Sequence, residues 1–472
     1  MDSIWQKTKI ATIASNIITD GNITCPYQDI PRIFAKIQTF LENKNIDFKC
    51  PVMLESRNSA SCALLILYFL ELGHSFLLVP ESREKPSAPA FCKYIFSVNE
   101  KSLDNNLNPE QFLRILENKK YAGATLNDSA KLYLRTSGST GKPKMAIHSH
   151  EKLIKNALNC LNRLNIKSDD RVAIPVPINH MFGLGAAFLP AIAAGASIDL
   201  QKRANLIRYL DREKKFNPNM AFMTPVFCES LLKGRREKRP YRLTVSAGDR
   251  LREKTFEGYQ AMFGPLVQLY GSTEMGAISS TKPDDPFVVR RASVGKPMPG
   301  ARIRIENSPA NSSDRTKKEG DIFCFHEYGF DGYADERGNV ASLPPPNGWF
   351  PAKDLGRIRR DGRLEVLGRA DQSVNRHGLL VFLADVEKKS ELIQGLSAAV
   401  AVPGKESARG RELILYCVAV PDSGITEKSV RNVCFDLLPK NAVPDKIIFL
   451  DDLPFLPNGK VDRQKLNRMA TK

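Results

Sequence analysis

Small hydroxylated residues, glycines and lysines are concentrated in residues 136–144. Glycines leave backbone amides accessible, and hydroxyl and ammonium groups add donors, so this segment predicts a loop that binds phosphate oxygens. It is not a Walker A motif, because Thr136 stands where that motif has glycine and Pro143 stands where it has Ser or Thr. A flexible serine- and glycine-rich turn is the alternative interpretation.

Further segments follow this loop in a fixed order: Tyr270-Gly271-Ser272-Thr273-Glu274, residues 349–356, Gly368-Arg369-Ala370-Asp371 and residues 457–463. Together they resemble the phosphate, nucleotide-and-magnesium, ribose, hinge and lysine-loop motifs of the adenylate-forming superfamily. This superfamily includes acyl- and aryl-CoA ligases, peptide-synthetase adenylation domains and luciferases. A weaker likeness reaches back to residues 58–80, so the resemblance covers nearly the whole chain.

The resemblance implies that the chain binds ATP and Mg²⁺. The residues implied in nucleotide binding are Thr136, Ser137, Gly138, Ser139, Thr140, Gly141, Lys144, Ala247, Gly248, Tyr270, Gly271, Ser272, Thr273, Asp354 and Arg369. Asp354 can accept hydrogen bonds from both ribose hydroxyls. Tyr270 offers a face to the adenine ring, with an ordinary core aromatic as the alternative, and Glu274 supplies a hard oxygen ligand for Mg²⁺.

The catalytic candidates are Lys460, Thr140, Glu274 and His180. Adenylation brings a carboxylate against the α-phosphate of ATP, and these two anions repel each other. A protonated Lys460 can bridge them and hold the attacking geometry. By resemblance, a small C-terminal domain presents Lys460 and then rotates about Asp371, so that a face containing Gly378 approaches the thiol.

Two positions depart from the superfamily pattern. Ala352-Lys353 stands where Thr-Gly or Ser-Gly usually precedes the ribose aspartate, and Met145 stands where glycine usually follows the last lysine of the phosphate loop. Neither change removes a charged ligand, so we expect an active enzyme. A degenerate nucleotide-binding scaffold is the alternative.

The residues expected to form the substrate pocket are Asn179, His180, Met181 and Gly271. Residues 176–195 contain no aspartate to pair with an α-amino group, which disfavours amino acids. Residues 246–251 and 271–275 look more like those of benzoate-type ligases. We therefore expect an aryl or similarly compact acid, with a medium-chain or hydroxy fatty acid as the alternative. For His180, the alternative is a structural histidine at a helix start.

The acceptor is expected to be the thiol of an acyl carrier protein, with coenzyme A as the alternative. A net charge of +17 suits both, because carrier proteins are acidic and coenzyme A carries phosphates. Oxidation or amide formation in place of the thiol step is a further alternative.

The fold that must position these residues is predicted as α/β: mixed sheets flanked by helices with a β-barrel-like part, and a small mobile α+β domain at the C-terminal end. The predicted domains are residues 1–368, a hinge at 369–371, and residues 372–472. Helices are predicted over 60–72, 109–118, 182–194, 384–391 and 426–438, and strands over 75–79, 171–175, 197–200, 301–305, 321–325, 364–366, 398–402 and 413–420.

Composition excludes several other classes. Nine cysteines without a C-x-x-C pair predict reduced thiols, and no stretch is long enough to span a membrane or to be a signal peptide, so a soluble cytoplasmic protein is expected. The basic runs at 235–239 and 357–360 are not interleaved with aromatic residues. Specific nucleic-acid binding is therefore not predicted.

Overall fold

The computed structural model describes residues 15–471, except residues 48, 82–86, 100–106, 124–129, 137–143, 203, 307–318, 346, 370–372, 377–378, 408–409 and 457–460. Within these ranges, no helix combines the length and the apolar character that crossing a bilayer requires. All nine cysteines are free thiols, as predicted, and only Cys50 is not buried.

The strands are given in chain order. They are β1 (Ile17–Thr19), β2 (Thr24–Pro26), β3 (Val52–Ser56), β4 (Phe76–Pro80), β5 (Tyr94–Val98), β6 (Leu113–Glu117), β7 (Lys131–Thr136), β8 (Lys144–Ser149), β9 (Arg171–Ile174), β10 (Ser197–Leu200), β11 (Met220–Met223), β12 (Leu243–Ser246), β13 (Leu266–Ser272), β14 (Gly276–Ser280), β15 (Lys296–Pro297), β16 (Ala301–Glu306), β17 (Glu319–His326), β18 (Gly332–Ala334), β19 (Val340–Ser342), β20 (Phe350–Ile358), β21 (Leu364–Arg369), β22 (Ser373–Arg376), β23 (Leu379–Phe382), β24 (Leu396–Ser407), β25 (Gly410–Ala419) and β26 (Lys446–Phe449).

The α-helices are α1 (Ile30–Asn43), α2 (Ala60–Glu71), α3 (Pro109–Phe112), α4 (His150–Leu164), α5 (Leu189–Ala194), α6 (Leu206–Phe216), α7 (Pro225–Gly234), α8 (Glu253–Phe263), α9 (Phe287–Ala292), α10 (Leu383–Ser390), α11 (Glu427–Leu437) and α12 (Arg463–Thr471). A 3₁₀ turn occupies Tyr27–Asp29 and a π-helix occupies Phe182–Phe188. Helix α2 is apolar on all sides and buried along almost its whole length, as expected of a helix inside a core.

The strands form four sheets, which confirms the predicted mixed α/β class. A nine-stranded sheet has the order β15-β14-β13-β12-β11-β9-β10-β1-β2, and an eight-stranded sheet has the order β19-β18-β8-β7-β4-β3-β5-β6. The β-barrel-like part is a four-stranded antiparallel sheet, β16-β17-β20-β21. The fourth sheet, β23-β22-β25-β24 with β26 beside β25, packs with α10 and α11 around a separate hydrophobic core.

One predicted helix is wrong in its second half. Helix α3 begins as expected at Pro109, with the Asn108 side chain accepting a hydrogen bond from the Glu110 amide at 3.3 Å, but it ends at Phe112. Residues 113–117 form β6, which pairs antiparallel with β5. Pairing with the free edge of β5 outweighs the helical propensity of this segment.

The other predicted helices and strands each overlap an observed element of the same type, although the first part of the helix at 182–194 is a π-helix. The predicted domain boundary falls on β21 and on residues 370–372, which lie outside the described residues. The hinge at Asp371 and the role of Gly378 therefore stay predictions.

Candidate functional site

The candidate site lies where several parallel strands end. Strands β9, β11, β12 and β13 are parallel neighbours in the nine-stranded sheet, so their carboxyl ends meet at one edge. The segments that leave this edge line adjacent cavities. Ligands of open α/β sheets bind in this position, outside the carboxyl ends of the strands.

Cavity A has a volume of about 250 Å³. Its lining includes the predicted nucleotide residues Gly248, Tyr270, Gly271, Asp354 and Arg369, together with Ala384, Glu387 and Arg463 from the C-terminal part. The structure thus brings together motif residues that lie more than a hundred positions apart, and it closes the cavity with residues from beyond the predicted hinge.

Asp354 is held from two sides in cavity A. The Tyr270 hydroxyl donates to Oδ2 of Asp354 at 2.6 Å, and the Arg369 guanidinium lies 3.5 Å from Oδ1. Burial, with the nearby Asp354 carboxylate, raises the pKa of Tyr270 well above its usual value, so the phenol stays a donor. Tyr270 therefore lines the cavity and also orients Asp354, the residue predicted to bind the ribose.

Cavity B, also about 250 Å³, adjoins cavity A. Its wall includes His180, Met181, Ala247, Ser272 and Thr273, with Gly248, Leu269 and Gly271 shared with cavity A. The π-helix contributes Phe182, Gly183 and Ala186 to the lining, and π-helical turns often occur at functional sites. Gly271 can only be glycine here, because a Cβ atom would lie 2.3 Å from the carbonyl oxygen of Gly276.

Asn179, which was predicted to line the substrate pocket, lines a third cavity instead. Cavity C has a volume of about 590 Å³ and is bordered by Arg57, Glu81, Asn179 and Lys202. It shares Val176, Pro177, His180 and Thr224 with cavity B. His180 therefore stands between the two cavities.

Glu274 lies in the turn between β13 and β14, and partly buried polar contacts fix this turn. The Tyr333 hydroxyl donates to Oε1 of Glu274 at 2.8 Å, and Nε2 of His148 lies 2.8 Å from the Thr273 carbonyl oxygen. The Ser272 hydroxyl accepts from the Met275 amide at 3.0 Å. The carboxylate is thus held in one orientation.

The donor set around Glu274 fits Mg²⁺ bound together with a nucleotide. In the described part of the chain, no three carboxylate, histidine or cysteine side chains cluster as a complete metal site. Mg²⁺ often takes only one or two protein carboxylates and completes its shell with phosphates and water. One oxygen of Glu274 is engaged by Tyr333, which leaves the other as a single hard ligand.

Several predicted site residues lie outside the described residues: Ser137, Gly138, Ser139, Thr140, Gly141 and Lys460. The flanks of the predicted phosphate loop are described. Thr136 ends β7 and pairs with Lys144 at the start of β8, so the loop connects two antiparallel strands. The ammonium of Lys144 lies 5.1 Å from the ring centroid of Tyr333.

Sequence reasoning missed Tyr333 and Glu387. Glu387 lines cavity A and binds Arg463 through two hydrogen bonds of 2.8 and 2.9 Å. Neither residue falls within one of the motif segments singled out in the sequence, so no motif identified it. Only the pairing of β18 with β8 and the packing of α10 against β24 place them at the site.

The departure at Lys353 has a structural consequence. Its φ angle is +59°, a left-handed conformation that costs a residue with a side chain about 1–2 kcal/mol. We expect Lys353→Gly to raise the free energy of unfolding by about 0.5–1 kcal/mol, since glycine avoids this cost but loses more chain entropy. Urea unfolding measures the change, and kcat/KM for ATP should stay within about twofold because Asp354 is retained.

Lys167→Gly is a matched control, because Lys167 is an exposed loop lysine that is absent from the positive-φ positions. It should destabilise the protein. An equal loss of stability in Lys353→Gly would contradict the strain at position 353.

Buried and half-buried histidines make stability depend on pH. Burial lowers the pKa of His74, His148, His150 and His326 to about 4 in each case. Histidines in the unfolded chain have a pKa of about 6.5. As the pH falls, the unfolded chain therefore binds protons before the folded protein does. The free energy of unfolding should therefore fall between about pH 6.5 and pH 5, by up to about 1.4 kcal/mol per pH unit for each histidine.

Urea unfolding at pH 7.5, 6.0 and 5.0 measures this loss. His326→Gln should reduce the slope by the contribution of one proton. A variant with the wild-type slope would show that His326 does not stay neutral in the folded state.

The comparisons with known proteins agree with this geometry. Residues 61–334 match the model of the AMP-binding enzyme family. The chain is 26% identical to the sulfoacetate–CoA ligase of Cupriavidus necator, over 72% of this chain and 67% of the relative. It is 28% identical to the indoleacetate–CoA ligase of Aromatoleum aromaticum, over 71% and 66%. Each alignment thus spans about two thirds of the relative's length.

Two solved structures cover almost the whole chain. ATP-bound MatB from Rhodopseudomonas palustris superposes with a TM-score of 0.81 at 20% identity, covering 98% of both chains. The o-succinylbenzoate CoA synthetase of Bacillus subtilis, in complex with an acyl-adenylate, gives 0.78 at 19% identity over 98% of this chain and 97% of that one. At these identities the likeness shows a common fold, while the family model covers more than half of the sequence. The chain belongs to the AMP-binding enzyme family.

Proposed function

We propose that the protein is an acid–thiol ligase, which adenylates a compact carboxylic acid with ATP and transfers the acyl group to coenzyme A. The observation that carries this proposal is the shared wall of cavities A and B at Gly248, Leu269 and Gly271. A nucleotide in cavity A and an acid in cavity B would meet at this wall. Two of its three residues lack side chains, so the α-phosphate and the carboxylate can approach each other closely.

In the first half-reaction, an oxygen of the carboxylate attacks the α-phosphorus, and pyrophosphate leaves with the bonding electrons. Asp354, oriented by Tyr270, would hold the ribose. Lys144 and the neighbouring loop would bind the phosphates, and Lys460 would neutralise the approaching anions. Mg²⁺ bound at Glu274 would offset the charge of the phosphates.

In the second half-reaction, a thiolate attacks the carbonyl carbon of the acyl-adenylate and AMP leaves. Cavity C supports a route for this thiol, because it adjoins cavity B at His180. Among the described residues that line cavity C, two cations stand against one carboxylate: Arg57 and Lys202 both pair with Glu81. The excess positive charge suits a thiol that carries phosphates.

The acceptor preferred from the sequence was an acyl carrier protein. The relatives described above are CoA ligases, which favours coenzyme A. For the acid, a cavity of about 250 Å³ lies at the small end of ligand sites, and its helix side is apolar. These features support an aryl acid or an acid of similar size. The small volume disfavours a long acyl chain.

The test is carboxylate-dependent exchange of pyrophosphate into ATP without any thiol, measured over aryl, short-chain, dicarboxylic, fatty and amino acids. We expect strong exchange with a compact acid, and then thioester formation with coenzyme A that exceeds formation with a phosphopantetheinylated carrier protein. A folded protein that binds ATP but exchanges with no acid would refute the ligase and favour the nucleotide-binding scaffold. Faster transfer to the carrier protein would refute the proposed acceptor.

A further inference from the structure

Tyr333 contacts two predicted phosphate-site residues that come from different motifs. Its hydroxyl donates to Oε1 of Glu274 at 2.8 Å. The Lys144 ammonium lies 5.1 Å from its ring centroid, within the range of a cation–π contact. Lys144 and Glu274 are thus linked through one side chain that belongs to neither motif.

The segment that carries Tyr333 is itself firmly anchored. Tyr333 pairs with Ala146 of β8, and the Phe330 amide donates to the Glu274 carbonyl oxygen at 2.7 Å. Between them, Asp331 accepts from the Ser149 amide at 2.6 Å and from the Lys152 ammonium at 2.7 Å. The Tyr333 ring therefore has a fixed position relative to both β8 and the Glu274 turn.

This arrangement separates two opposite charges that would otherwise attract each other. Within the described residues, no ion pair joins Lys144 to Glu274; the ammonium contacts the ring and the carboxylate contacts the hydroxyl. An ion pair between them would occupy the Lys144 ammonium, which is needed to bind a phosphate, and a Glu274 oxygen, which is needed to bind a metal. Holding both groups apart and oriented prepares the site for a nucleotide with its cation.

We propose that Tyr333 is a positioning residue for the complex of Mg²⁺ with ATP, its hydroxyl orienting Glu274 and its ring holding Lys144. This inference rests on the proposed function and adds a residue to it. The hydroxyl and the ring have separate tasks: the hydroxyl acts on the affinity for the metal, and the ring acts on the affinity for the nucleotide phosphates.

The two tasks can be tested separately with Tyr333→Phe and Tyr333→Leu. The measurement is thermal stabilisation of the protein by ATP at graded Mg²⁺ concentrations, without any acid. Tyr333→Phe should raise the Mg²⁺ concentration for half-maximal stabilisation about tenfold, the effect of losing one hydrogen bond to a charged group. At saturating Mg²⁺ its affinity for ATP should stay near that of the wild type. Tyr333→Leu should also bind ATP more weakly at saturating Mg²⁺.

Tyr328→Phe is the matched control, because this nearby tyrosine contacts Lys155 through its ring at 5.5 Å and lines none of the three cavities. A wild-type Mg²⁺ dependence in Tyr333→Phe would overturn the inference. The inference would also be overturned if Tyr333→Phe changed the melting temperature without ligand and the KM for the acid along with the Mg²⁺ dependence. That pattern would indicate a general structural role. A wild-type protein that shows no Mg²⁺-dependent stabilisation by ATP would overturn the proposed function together with this inference.

Discussion

Replacing Asp354 with alanine is expected to lower kcat/KM for ATP by about two orders of magnitude. The carboxylate is the predicted acceptor for the ribose hydroxyls, and it already accepts the Tyr270 hydroxyl at 2.6 Å. Hydrogen bonds to a charged group contribute about 1.5–3 kcal/mol each, so losing two ribose contacts corresponds to about 100-fold or more. The variant also leaves the phenol of Tyr270 without this acceptor in a buried position.

Pyrophosphate exchange with ATP varied at saturating acid measures this effect. The KM for ATP should rise, while the KM for the acid should change little, because Asp354 lines cavity A and not cavity B. Asp321→Ala is a matched control: Asp321 lies on the adjacent strand β17, opposite Leu355, and lines neither cavity. An Asp354→Ala enzyme with an unchanged KM for ATP would contradict the assignment of the ribose site.

The sequence predicted the motif residues of the site better than the residues that tertiary contacts bring to it. Gly271 and Asp354 could be found from the sequence because their motifs use residue types that the backbone or the ligand requires. Gly271 has no room for a Cβ atom, and Asp354 supplies an acceptor. Such constraints act within a few residues, so they leave a local pattern.

The remaining features depend on tertiary contacts that no local pattern encodes. Tyr333 reaches Glu274 only because β18 pairs with β8, and Asn179 lies in cavity C although its neighbour His180 borders cavity B. The predicted helix at 109–118 gave way to β6 because the edge of β5, the preceding strand, supplies hydrogen-bond partners. Side-chain direction and edge pairing are set by packing, which propensity alone does not determine.

The Ala352-Lys353 departure shows how a motif can change while its geometry is kept. Lys353 adopts the positive φ angle that glycine favours, and Asp354 still receives the Tyr270 hydroxyl. The backbone conformation is thus retained at the expense of local strain. This argues that the ribose aspartate keeps its function, and it weakens the scaffold alternative that the departure first suggested.

Lys460→Ala is expected to slow adenylate formation by about 10²–10³-fold while sparing transfer from a supplied acyl-adenylate. Lys460 lies outside the described residues, but both flanks of its loop are fixed. Phe455 and Val461 form an antiparallel bridge, and Arg463, three positions after Lys460, lines cavity A. Both described flanks thus anchor the predicted lysine loop at the side of cavity A that Arg463 lines.

The reason for a split between the half-reactions is electrostatic. Only the first step brings two anions together, and removing a fixed cation that stabilises such a transition state costs about 3–4 kcal/mol. Single-turnover measurements of adenylate formation, and of thioester formation from supplied acyl-adenylate and coenzyme A, separate the two steps. Lys465→Ala, which removes an exposed lysine from α12, is the control and should leave both rates unchanged. If Lys460→Ala lowered the rates of both half-reactions equally, the lysine would support the fold or the thiol step. Another group would then neutralise the carboxylate and the α-phosphate.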